Sequence, residues 1–329
     1  MGIRQFRRTL NASQLGQPSL IHASPNWAAQ RLSIENSRHW ISPAGRRARW
    51  RKRLFGGLLT VFDEAIRLTP LYRRGRRNAL DLRLIELEFA FPELPWQFDG
   101  YRILHVSDTH LDAFPELANA ARRLVGCLEV DMLALTGDVH GDHRAPIALS
   151  AGLLVEALGG VRVRGHRVAV LGNHDPVAMA DALEHAGFDV LINRSLVLQR
   201  EGENLRITGL DDVNCFYTEA ARAALDDHAG EFRIALVHSP EVADYADRAG
   251  YALYLCGHTH GGQICLPGGR PLITQLRRCR HAARGLWHQG SMTGYTSCGV
   301  GVSGSAVRFN SRGEVALITL RRESRRRSS

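Results

Sequence analysis

Residues 101–110 read YRILHVSDTH, an unbroken apolar run that ends on Asp108 and His110, and the construction returns as DMLALTGDVH (131–140) and HRVAVLGNHD (166–175). Apolar runs of this length, stopped by turn residues, predict strands buried on both faces. Two more runs end the same way: RIALVHS (233–239) brings His238 to a strand end, and YALYLCGHTHGGQ (251–263) brings His258 and His260. Helical patterns such as PELANAARRLVGCL (115–128), APIALSAGLLVEAL (145–158) and PEVADYADRA (240–249) lie between them. That alternation predicts a layered α/β domain. LRLIELEFAF (82–91) alternates like an additional strand, and MTGYTSCGVGVSGSAVRFNSRGEVALITL (292–320) reads as closing strands joined by glycine turns.

The polar ends of these runs are S-D-T-H (107–110), G-D-V-H (137–140), G-N-H-D (172–175), V-H-S (237–239) and G-H-T-H-G-G-Q (257–263). In α/β sheets, ligands collect at the carboxyl ends of strands, so five such ends would gather Asp, Asn and His at one edge. A lone D-x-H after a strand reads most simply as a turn with a satisfied histidine; five motifs in order do not. Such a gathering needs a counter-charge, and a pair of divalent cations supplies it. The oxygen and nitrogen donors suit Mn, Fe or Zn, and lack the thiolates of a structural zinc site. Two ions roughly 3.5–4 Å apart that share a carboxylate and a hydroxide suit in-line displacement at phosphorus. Two aspartates and a hydroxide leave the pair with residual positive charge, which favours an anionic phosphate.

D-x-H, G-D, G-N-H-D, a lone His after a strand and G-H-x-H, in this order, resemble the calcineurin-like metallophosphoesterase family from about Asp81 to Leu320. The resemblance implies a four-layer α/β/β/α sandwich and metal-dependent hydrolysis of a phosphodiester, phosphomonoester or pyrophosphate by a hydroxide that two metals activate. By that similarity Asp108, His110 and His260 would hold one metal, Asn173, His238 and His258 the other, and Asp138 would bridge them. His174 would contact the phosphate and stabilise or protonate the leaving oxygen, with Asp175 orienting its imidazole. His140, Asp142 and His143 are expected to be solvated or supporting, and Asp211 and Asp212 to be supporting or structural rather than ligands. The wording of the motifs is most similar to a bacterial subgroup with membrane-associated phosphoesterases, among them enzymes that split UDP-2,3-diacylglucosamine. This implies a phosphorylated small-molecule or lipid-linked substrate. The segment from Leu266 to Gln289 would form part of its rim, with Arg270, Arg277, Arg278 and Arg280 either holding extra phosphate or lying on a basic surface loop.

The net charge of +9 is concentrated at one end: residues 1–100 hold 17 Lys/Arg against 8 Asp/Glu, and residues 101–329 hold 25 of each. We expect three parts: a basic, partly disordered extension with an amphipathic helix (1–80), the metallophosphoesterase domain (81–320) and a basic tail (321–329). Residues 1–45 have no sustained period and read as a loosely ordered arm. Within 51–77, Leu54, Leu58, Phe62, Ala65 and Ile66 share one helical face between arginine clusters. The apolar run is too short to span a bilayer. Its alternatives are an anionic membrane surface, to which flanking arginines would be drawn, or the domain itself. Six scattered cysteines without C-x-x-C pairing, and no recognisable signal peptide, predict reduced thiols in a cytoplasmic protein, peripheral at the inner membrane face if the basic helix binds there. Nucleic acid is not the expected partner, because no base-reading module is present. Two other classes bear comparison. A catalytically silent scaffold on this fold would have lost ligands or His174, and none is missing; a nuclease on the same fold would bind polynucleotide with a steep salt dependence.

Overall fold

The computed structural model describes residues 26–36, 57, 61, 63–216, 218–226 and 231–323. Two six-stranded sheets face each other. The first has the order β1 (Arg83–Phe91), β14 (Glu314–Arg322), β2 (Arg102–Val106), β4 (Met132–Thr136), β6 (Arg167–Val170) and β7 (Asp189–Val190). The second runs β12 (Gly285–Gln289), β13 (Met292–Thr296), β11 (Leu253–Cys256), β10 (Phe232–Leu236), β9 (Glu203–Gly209) and β8 (Arg194–Arg200). A small pair, β3 (Glu129–Val130) and β5 (Arg162–Val163), lies apart.

Strands β2, β4 and β6 are mutually parallel, as are β9, β10 and β11. Each is covered on both faces, and five of them are mostly apolar; β9 carries Glu203, Asn204 and Arg206 in its run. In β2, Ile103 enters the core between the sheets with Ala134, Val168, Ile207, Ile234, Leu255 and Ile318. Its neighbours Leu104 and Val106 point the other way, under α3 (Glu116–Val125), α4 (Ile147–Leu158) and α5 (Ala178–His185). The second sheet is covered likewise by α6 (Glu219–Asp226) and α7 (Ala243–Arg248) through Ala221, Leu225, Ala243 and Ala246. The result is the α/β/β/α sandwich. Each fully buried aliphatic side chain contributes roughly 1.5–3 kcal/mol, so three such layers fix which strand ends meet.

The N-terminal hundred residues differ in part from the sequence reading. Within the stretch read as a loose arm, α1 (Trp27–Asn36) is a helix whose buried residue is Arg31. Apolar periodicity cannot reveal a helix that docks through a cation. Leu54, Leu58 and Phe62 of the basic amphipathic face lie outside the described residues. Of the rest, Ile66 is buried and Ala65 exposed. α2 (Pro70–Leu80) starts with Pro70 at its first turn, a position without need of the missing N–H. It packs on the domain. A Cβ on Gly75 would collide with Val307 and Phe309, and Arg308 N–H donates to Gly75 O at 3.0 Å. Arg73, Arg74 and Arg77 remain exposed. At the other end β14 continues through Arg322, past the expected start of the tail, and residues 324–329 lie outside the described residues. Among the described residues none of the six cysteines is in a disulfide. Among the described residues no helix is long and apolar enough to cross a membrane.

Candidate metal centre

Parallel pairing aligns the strand ends, and the residues that follow them converge. After β2 come Asp108 and His110, after β4 Asp138, after β6 Asn173 and His174, after β10 His238, and after β11 His258 and His260. Two three-residue groups bring their donor atoms within 4.8 Å of one another: Asp108, His110 and His260, and Asp138, His238 and His258. Asp138 Oδ2 lies 3.5 Å from His110 Nε2 and 3.3 Å from His238 Nε2, so this one carboxylate stands between the groups. Asn173 Oδ1 completes the second, 3.1 Å from His238 Nε2 and 2.9 Å from His258 Nδ1.

The histidines are oriented from behind. His110 Nδ1 meets His140 O at 2.8 Å and His238 Nδ1 meets Thr136 O at 2.8 Å. A carbonyl only accepts, so both Nδ1 atoms carry hydrogen and both Nε2 atoms face the cluster. Among the described residues His110 Nε2 is buried without a hydrogen-bond partner. His238 Nε2 and His258 Nδ1 face each other at 3.2 Å. Buried lone pairs aimed at a shared point are costly unless a cation or proton lies between them, so the donor set fits a pair of divalent ions. Ser107 Oγ donates to Asp108 Oδ2 at 2.6 Å, and the His258 N–H donates to the same carboxylate.

Backbone conformation shows the same concentration. Asp108 (φ 48°), His110 (38°), Asp138 (55°), His258 (72°) and His260 (52°) occupy the left-handed region. Such residues cost on the order of 1–3 kcal/mol each and persist where surrounding contacts dictate them, most often at functional sites. Gly257 permits the closest approach: a Cβ there would collide with Ser107 Oγ and Asp108 Oδ2.

Charge is tightly balanced. Burial opposes protonation of His110 and His258, lowering them to about 4 and about 3, and it lowers His260 as well. Burial also opposes protonation of His238, but the carboxylates of Asp138, Asp108 and Asp212 outweigh it and raise His238 to about 10. Burial raises Asp108 to about 6 against the opposing pull of His238. Asp138 is held well below the usual carboxylate range, because the imidazoles of His238 and His174 overcome its burial.

One expected contact is corrected. Asp175 does not orient the His174 imidazole. Its carboxylate accepts the backbone N–H groups of Asp138, Val139, His140 and Gly172 at 2.8–2.9 Å, which ties the loop after β4 to the loop after β6. Four backbone donors leave a buried carboxylate no reason to reach a ring. His174 is held through its own N–H, donated to Asp138 Oδ1 at 2.9 Å, and its Nδ1 has no partner among the described hydrogen bonds. His143 stacks on His174 at 5.2 Å between centroids. His140 is buried against Ser150 at 2.9 Å, and Asp142 is exposed. Asp211 faces α1, and Asp212 accepts the Cys215 N–H at 2.8 Å. Sequence reasoning missed Asn214, whose side chain lies 2.9 Å from His258 Nε2; in DDVNC nothing marks it.

A two-sheet α/β sandwich with two oxygen and nitrogen donor groups at its strand ends defines a metal-dependent phosphoric ester hydrolase with a dinuclear divalent centre. The calcineurin-like phosphoesterase profile matches residues 101–262. The Bacillus subtilis (strain 168) metallophosphoesterase YkuE is 30% identical over 245 residues, covering 69% of this chain and 82% of its own length. YkoQ of the same organism is 30% identical over 262 residues, 75% of this chain and 94% of its own. Escherichia coli (strain K12) phosphodiesterase YaeI is 29% identical over 233 residues, 67% and 82% respectively. The chain belongs to the calcineurin-like metallophosphoesterase family.

Proposed function

We propose that the chain hydrolyses a phosphodiester, with Asp108, His110 and His260 holding one ion, Asn173, His238 and His258 the other, and Asp138 shared. The observation that carries the assignment is the position of Asp138 Oδ2, within 3.5 Å of a histidine nitrogen from each group. When bound, the ion pair supplies Lewis acidity toward the phosphoryl oxygens and a hydroxide nucleophile at neutral pH. The chain's own residues then position and discharge the leaving group. His174 projects beside His110, with ring centroids 5.1 Å apart, and is the group we assign to donate a proton or hydrogen bond to the departing oxygen. The stacked ring of His143, exposed on its outer side, would help place that oxygen.

The relative YaeI is named a phosphodiesterase, which makes a diester the first class to assay. A lipid-linked phosphate, such as a UDP-diacylglucosamine-like pyrophosphate, is supported by the loop that leaves the site after Gln263. There Leu266, Leu272 and Ile273 are exposed beside exposed Arg270, Arg277, Arg278 and Arg280. A peripheral position on an anionic membrane draws support from the same region. Phe309 O accepts the Cys265 N–H of that loop, and the Phe309 ring lies against Gly75 of α2, next to exposed Leu68, Leu71, Arg73, Arg74 and Arg77.

The test compares bis-p-nitrophenyl phosphate and p-nitrophenyl phosphate as substrates for EDTA-stripped protein with Mn²⁺, Fe²⁺ or Zn²⁺ restored. We expect metal-restored turnover, faster on the diester with Mn²⁺. Two bound ions with no turnover on either ester would shift the assay to lipid-linked pyrophosphates. Failure to bind any ion would refute the ligand assignment.

A further inference from the structure

The short helix α1 reaches the catalytic loops from far away in sequence, with one buried cation at the centre of its contacts. Arg31 is 1% exposed. Its Nη2 donates to Gly172 O at 3.0 Å and to Asp175 O at 2.5 Å, the carbonyls on either side of Asn173 and His174. Its Nη1 donates to Asp211 Oδ1, and its guanidinium lies 3.8 Å from the centre of the Phe216 ring. Trp27 Nε1 donates to the other Asp211 oxygen at 2.6 Å. Glu35 accepts from Arg31 Nε at 3.2 Å and from the Val177 N–H at the start of α5 at 2.9 Å. The two loops bound in this way are the one that carries Asn173 and His174, and the one that leads through Asp212 to Asn214, which touches His258.

We infer that α1 is a clasp on the catalytic centre and that Arg31 is a positioning residue for hydrolysis, fixing where Asn173 and His174 project. A guanidinium fork suits this role because it donates to several acceptors in one plane. Lysine offers a single point charge and cannot span both carbonyls and Asp211 together. The residues involved, 27–35, lie outside the region matched by the family profile, which begins at residue 101. The inference rests on the assignment of Asn173 to one ion and His174 to the leaving oxygen.

The experiment uses full-length protein and three variants, Arg31→Met, Arg31→Lys and Trp27→Phe. For each, kcat and KM on bis-p-nitrophenyl phosphate are measured at saturating Mn²⁺, and Mn²⁺ binding to stripped protein is titrated separately. A misplacement of about 1 Å in a catalytic group costs up to roughly 100-fold in rate. We expect Arg31→Met to lower kcat roughly 10- to 100-fold with KM changed far less, or to weaken the second Mn²⁺ step by a similar factor. Arg31→Lys should fall between it and wild type, and Trp27→Phe, which removes the indole donor and part of the ring but keeps an aromatic side chain and the Arg31 cation, should show the mildest loss in the same direction. If Arg31→Met does not fold, the other two variants decide. Folded variants with wild-type kcat and wild-type Mn²⁺ binding would overturn the inference, as would a loss of activity that tracks only the fraction of unfolded protein. A wild-type protein that binds two Mn²⁺ without cleaving the ester would count against the proposed activity instead, and the Mn²⁺ titration would still read the clasp.

Discussion

Asp138 faces imidazoles of both donor groups and receives the His174 N–H, so three parts of the centre meet at one carboxyl group. Asp138→Asn keeps the shape and removes the charge that balances two cations. It should lower turnover by orders of magnitude while the thermal unfolding of the metal-free protein shows an intact fold. His174→Ala removes a group that contacts no assigned ion. Its turnover should fall roughly 10²- to 10⁴-fold with both ions still bound, which metal analysis of the purified variant would show. The protonation pattern yields a further expectation. In the metal-free protein His238 is raised from its ordinary 6.5 to about 10, so it holds a proton at pH 7, whereas His110 and His258 are already neutral. A raised folded-state value means that the His238 ion pair stabilises the metal-free protein fully below pH 6.5 and loses this effect as pH rises through about 10. Metal must displace that proton. Mn²⁺ affinity should therefore rise with pH across this window, with proton release on binding, detectable as a buffer-dependent heat in calorimetry.

At the level of elements, what positions the site is the meeting of turns from opposite sheets. The turn after β11 packs against the turn after β2: the His258 N–H donates to Asp108, and Gly257 leaves room for Ser107 and Asp108. Gly257→Ala should press the two turns apart and weaken Mn²⁺ binding at least tenfold, an amount that corresponds to roughly 1.4 kcal/mol. Normal Mn²⁺ affinity in that variant would show that the two turns tolerate separation. The loops after β4 and β6 are tied in a comparable way by Asp175, for which the family resemblance implied work on the His174 imidazole. Motif spacing identifies Asp175 as belonging to the site. Only its surroundings show that it serves the backbone.

Across the whole molecule, the ions bind a shape that the unfolded chain lacks, so metal should stabilise the fold. Each ion held at a hundredfold excess over its Kd adds roughly 2.7 kcal/mol. Stripping with EDTA should lower Tm, and Mn²⁺ should restore it; an unchanged Tm would mean that the centre is empty in solution under both conditions. The sequence by itself determined the buried strands β2, β4, β6, β10 and β11, the helical patterns between them and all eight polar residues at their ends. These follow from local rules: apolar runs covered on both faces, and turn residues that stop them. Left-handed backbone at Asp108, His110, Asp138, His258 and His260, the backbone role of Asp175, the contact of Asn214 with His258 and the docking of α1 through Arg31 were decided only by the tertiary structure. Each depends on which atoms lie opposite across a chain separation of tens to hundreds of residues. A buried arginine or a carboxylate that gathers backbone N–H groups leaves no periodic trace along the chain, since its partners belong to other loops.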